Sequence, residues 1–98
     1  MPYIKKELRD KLEPELTNLC NRVYNVSDDM NIAGTLNYVI STLLCKTILY
    51  KTIRYASINT ICGILECVKL EFYRRLGGKY EDQCIKNNGD VEVYESQK

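Results

Sequence analysis

Histidine and tryptophan are absent from this sequence of 98 residues, phenylalanine occurs once and proline twice. Without histidine the commonest general base near neutral pH is missing, and no serine–histidine or cysteine–histidine pair can be built. Phosphate-cradling loops of the Walker or dinucleotide type are missing as well, because Gly77-Gly78 follows a helical pattern instead of preceding one. These gaps argue against an enzyme. An excess of one charge is also lacking: 14 basic and 13 acidic residues leave a net +1, whereas a general nucleic-acid binder carries a clear basic surplus. The longest apolar-rich stretch, Leu36 to Tyr50, is interrupted by Asn37, Ser41, Thr42, Lys46 and Thr47. A membrane span needs about 20 mainly apolar residues. The opening residues Met1 to Lys6 hold no apolar core of signal-peptide length. The expectation is a cytoplasmic chain with no place in a membrane.

Cysteine is plentiful but not patterned. Cys20, Cys45, Cys62, Cys67 and Cys84 are odd in number and contain no CxxC spacing. A disulfide framework needs an oxidising compartment and usually an even count. A zinc site without histidine would require thiolates converging from distant segments. The simpler reading is small reduced residues of the core, with no metal and no cofactor.

What is present suits one helical domain over residues 1–98. The chain is 45% hydrophobic and 28% charged, the balance of a globular protein. Leu8, Leu12, Leu16, Cys20 and Val23 recur at spacings of three and four, which places them on one helical face. Pro14 interrupts that segment, so short N-terminal helices are expected within 5–24, with one kinked helix as the alternative. Ser27, Asp28, Asp29 and Asn31 then supply the side chains that accept bonds from unpaired amides at a helix start. A long helix is expected over about 31–50, carrying Ile32, Leu36, Val39, Ile40, Leu43, Leu44 and Ile48.

A basic joint around Lys51, Thr52 and Arg54 leads to a second long helix over about 55–76, lined by Ile58, Ile61, Cys62, Leu65, Val68, Phe72 and Leu76. Gly77-Gly78 is expected to end it, since glycine readily takes the left-handed conformation that closes a helix. A short helical turn over 80–86, a turn at Asn87-Asn88-Gly89-Asp90 and an extended tail over 91–98 complete the reading. The fold class expected is therefore all-α: two long antiparallel helices plus shorter N-terminal ones, assembled as an oligomer.

The second long helix carries a further face, Tyr55, Asn59, Gly63, Glu66, Leu70 and Tyr73. Glycine inside a helix costs about 1 kcal/mol relative to alanine, so close approach by another helix or by a ligand is expected at Gly63. Lys69 lies near the apolar face and needs a carboxylate, for which Glu66 is three residues away. The pair reads either as structural or as part of an anion site. Arg74 and Arg75 suit the dipole of a helix end, with Glu71 and Arg75 as an i, i+4 pair. They would equally make a phosphate clamp beside Tyr73 and Tyr80, which could stack on a planar base. Eight tyrosines against one phenylalanine favour a binding surface. The candidate ligand-binding residues are Asn59, Glu66, Lys69, Tyr73, Arg74, Arg75 and Tyr80.

The runs Leu36-Asn37-Tyr38-Val39-Ile40, Tyr55-Ala56-Ser57-Ile58-Asn59, Gly63 to Arg75, Tyr80-Glu81 and Asn88-Gly89-Asp90-Val91, with the opening Met1-Pro2-Tyr3-Ile4, carry a resemblance. Over most of its length the chain resembles a family of small uncharacterised proteins associated with bacteriophages and prophages. No established activity comes with that family. The resemblance implies a phage-encoded protein acting in the host cytoplasm, and by analogy of context one that sequesters a nucleotide-type signal of host immunity. The expected function is thus non-catalytic binding of a small anionic nucleotide by a homo-oligomer. The alternative is an adaptor or inhibitor that uses the same tyrosine-rich surface on a host protein.

Overall fold

The structure, a computed structural model, describes residues 4–49 and 53–97. Among these residues every regular element is helical and none is a strand, in agreement with the all-α expectation. The elements are α1 (Lys6–Val26), α2 (Ile32–Thr47), α3 (Tyr55–Phe72), a π-helical turn (Tyr73–Gly77), α4 (Gly78–Asn88) and α5 (Glu92–Glu95). The end expected for α2 at residue 50, and most of the basic joint that follows, lie outside the described residues. By internal contacts the chain divides into two units, Met1–Ile61 and Cys62–Lys98.

In the first unit, α1 runs unbroken through Pro14, so the expected pair of short N-terminal helices is a single helix. Pro14 deprives the Asp10 carbonyl of its intrahelical donor. The residues around it, Lys11, Leu12, Glu13, Glu15 and Leu16, are strong helix formers, and the whole segment is exposed, so water can satisfy that carbonyl. Surface pairs one turn apart support it: the Lys6 ammonium lies 3.0 Å from Asp10, and the Thr17 hydroxyl donates to Glu13. The connector to α2 folds on itself as expected. Asp28 accepts from the amides of Met30 and Asn31 at 2.9 and 3.0 Å, and Asn31 accepts in return from the Asp28 amide at 2.8 Å. These bonds close the turn that leads into α2, whose N-cap, Asn31, makes no side-chain bond to an amide of the helix.

The largest departure from expectation is at the double glycine. Gly77 and Gly78 both hold right-handed helical dihedrals, φ −64° and −61°, and the helix continues through them instead of ending. The Gly78 amide donates to the Tyr73 carbonyl five residues back, which widens one turn without breaking the hydrogen-bonded ladder. The closing glycine is Gly89, at φ +86°, whose amide donates to Ile85 at 2.7 Å. Among the described residues, only there does the backbone enter the region that favours glycine. The tail also differs: Glu92–Glu95 forms one short helical turn in place of an extended segment, with Val91 accepting from the amides of Tyr94 and Glu95.

No described residue of either unit is buried. Leu8, Leu12 and Leu16 are each about half exposed (48%, 51% and 49%). Complete burial of a leucine stabilises by about 1.5–3 kcal/mol, so each forgoes roughly half of that. The cysteines expected in a core are likewise outside one, four of them exposed and Cys84 half-buried. The reason is architectural: a helix with one apolar face needs a facing layer, and neither unit supplies enough elements to cover its own. Among the described residues no helix is long and apolar enough to cross a membrane.

Candidate functional site

The site is best built from the π turn of the second unit. Tyr73 begins it, and the Tyr73 ring lies along the helix over Gly77. A Cβ placed on Gly77 would sit 2.9 Å from Tyr73 Cδ2. The glycine therefore provides room for the ring, whereas its sequence position had pointed to a helix end. Beyond Gly77 the Tyr73 hydroxyl donates to Oε1 of Glu81, eight residues along. In a regular helix eight residues overshoot two turns. A widened turn followed by an ordinary one uses about eight, which brings the two side chains onto one line. Glu81 also occupies the first turn of α4. The hydrogen bond to Glu81, assisted by desolvation and by the carboxylate's charge, holds the Tyr73 hydroxyl above its ordinary pKa of 10.0.

Just before this turn the helix flank forms an open depression lined by Cys67, Lys69, Leu70, Glu71, Tyr73 and Arg74. All six come from one stretch of helix, so the depression has a single wall. Its chemistry is an apolar strip flanked by an ammonium, a guanidinium, a phenol and the Glu71 carboxylate. Lys69 meets Glu66 at 3.6 Å, the partner expected for it, but both side chains are well exposed (72% and 58%). An exposed pair of this kind adds little stability and leaves the ammonium accessible from water.

The seven sequence-derived site residues are thus distributed unevenly. Lys69, Tyr73 and Arg74 share the depression, and Glu66 joins them through Lys69. Arg75 and Tyr80 do not line it; Arg75 lies within the π turn and Tyr80 is exposed on α4. Asn59 belongs to the first unit, on the opening turns of α3. The notch expected at Gly63 is open, with nothing within 4 Å of where its Cβ would be. Glu81 and Gly77 are the residues that sequence reasoning missed. A tyrosine four residues before a glycine was a usable signal, since such pairs share a helical face. The eight-residue spacing to Glu81 was not, because it aligns only across a widened turn. Among the described residues no three histidine, cysteine, aspartate or glutamate side chains gather as metal ligands.

The family described as "Domain of unknown function (DUF6899)" matches residues 1–91, nearly the whole chain, and the chain belongs to it. No curated protein and no solved structure matches it.

Proposed function

From membership of that family as a premise, we propose that the chain is a non-catalytic binding protein that works as a homo-oligomer and takes up a small anionic ligand of nucleotide type. The observation that supports this reading is the depression beside the π turn. There Lys69 and Arg74 offer cationic donors around an apolar strip, next to the aromatic ring of Tyr73. Ammonium and guanidinium groups suit phosphate, and tyrosine rings suit a planar base. Arg75 and Tyr80 extend the same chemistry beyond the depression, and Glu66 positions Lys69. Asn59, on α3 in the first unit, is not part of this depression.

Ligand sites usually bury most of their ligand, and a single wall cannot do so. A second copy supplies the other wall, which is why the small-ligand reading and the oligomer belong together. Antiparallel pairing of α2 with α3 is part of the same proposal. The resemblance to phage and prophage proteins supports the setting, the cytoplasm of an infected cell; the ligand class, a nucleotide signal of host defence, is proposed by analogy of context alone. Calorimetry with cyclic dinucleotides and ADP-ribose derivatives tests it. Binding is expected with at least one of them, weakened about tenfold or more in the double variant Arg74→Ala/Arg75→Ala. Absence of heat with every nucleotide, from chain that is helical by circular dichroism, would overturn it.

The second reading, an adaptor or inhibitor of a host protein, is favoured by the exposure of Tyr24, Tyr38, Tyr55 and Tyr94. Tyrosine concentrates at protein interfaces. Affinity capture that recovers one host protein in stoichiometric amount, together with silent calorimetry, would favour it over the first.

A further inference from the structure

The apolar face of α1 has a finer pattern than helical periodicity alone requires. Leu12, Leu16, Leu19, Val23 and Val26 follow one another at steps of four, three, four and three, the spacing of a coiled-coil seam. None of them is buried; Leu16 is 49% and Leu19 40% exposed, and Val26 is exposed by 65%. α2 contacts α1, but no residue of the seam is buried by it. Pro14 lies on the opposite side of the helix, about 200° around from Leu12 at 100° per residue, so its ring and the unpaired Asp10 carbonyl face away from the seam.

We infer that α1 pairs with α1 of a second copy of this chain, in antiparallel orientation. The charges beside the seam choose the occupant and its direction. Glu15 and Arg22 flank the same edge. When two copies run antiparallel with Leu16 of one facing Leu19 of the other, Leu12 faces Val23 and Arg9 faces Val26. In that register Glu15 of each chain meets Arg22 of its partner, and the symmetry forms the pair twice. A parallel, in-register pairing sets Arg9 against Arg9 in the seam and opposes Glu15 with Cys20 and Arg22 with Ser27. It gains no ion pair and adds a repulsion. The self-complementary edge therefore fits a second copy better than an unrelated helix.

This inference rests on the oligomer proposed above and gives it an interface. Sedimentation equilibrium of the full chain, under reducing conditions to keep the five thiols from cross-linking, tests both. The expected result is a dimer or a multiple of it. Glu15→Arg alone and Arg22→Glu alone should each weaken association about tenfold or more, since two attractions become two repulsions. The double variant Glu15→Arg/Arg22→Glu should restore it to within about threefold. A monomer mass for the unaltered chain would overturn the seam and the proposed oligomer together. A dimer that ignores both reversals, or single variants that the double does not rescue, would overturn the seam alone. Circular dichroism on the same samples separates dissociation from loss of helix, and rescue by the double variant excludes a folding defect as the cause.

Discussion

α1 and the segment from Tyr73 to Glu81 solve the same problem in opposite ways. α1 is regular: its apolar residues form one uninterrupted face, its side-chain bonds reach a single turn, and no residue of that face is buried within its unit. The Tyr73–Glu81 segment is irregular. It gives up one ordinary turn and in return ties two turns together through a phenol laid over a glycine. Regularity leaves a surface for another molecule; irregularity lets a helix make contacts with itself. The comparison predicts that α1 is sensitive to what is outside the chain and the π turn to what is inside it.

The largest expected effect comes from placing a charge in the α1 face. Leu16→Asp should weaken self-association by at least ~100-fold, about 3 kcal/mol, and lower the helical signal at micromolar concentration. An unchanged mass and spectrum would mean that this face has no partner.

A smaller effect, of opposite sign, is expected in α3. With open space around Gly63, Gly63→Ala should stabilise the helix by about 0.5–1 kcal/mol in urea unfolding. A loss of stability instead would show that another surface packs at that notch.

The smallest effect concerns the π turn and is read by ultraviolet titration of tyrosine. The Glu81 bond raises the folded-state pKa of Tyr73 above 10.0. Its contribution to stability is therefore complete below that pH and is lost as pH climbs through the raised value. Glu81→Leu should return Tyr73 to the ordinary range. Gly77→Ala should do the same by pushing the ring aside, with helical content retained. Titration of Tyr73 at its ordinary value in the unaltered chain would break the contrast between the two regions.

What was legible in the sequence follows the same division. The 3.6-residue recurrence of Leu8, Leu12 and Leu16, and of Ile58, Leu65 and Phe72, located the helices because such faces have one period and no competing one. The connector was readable as a turn because the bonds of its asparagine and aspartate side chains are local, although they do not cap α2 itself. Three things were not legible. Pro14 was read as a break because its cost is local, whereas the helix-forming residues on both sides outweigh it. Gly77-Gly78 was read as an end because glycine permits a left-handed residue, yet here only its small size is used. The core expected for five cysteines and many leucines is absent among the described residues, because periodicity tells which side of a helix is apolar and says nothing of whether the chain itself covers that side. Of the candidate site, Lys69, Tyr73 and Arg74 come together because they are neighbours along one helix, and Glu81 was missed because its alignment depends on the widened turn.

The lack of any interior in the described residues bears on dosage. Where apolar surface is covered by association, part of the folding free energy is supplied by mass action, and the midpoint of unfolding moves with the amount of protein present. Scarce copies would then be largely unstructured and open to proteolysis, while abundant ones would protect each other. Rate of synthesis, more than any single bond in the helices, would set how much working protein a cell holds.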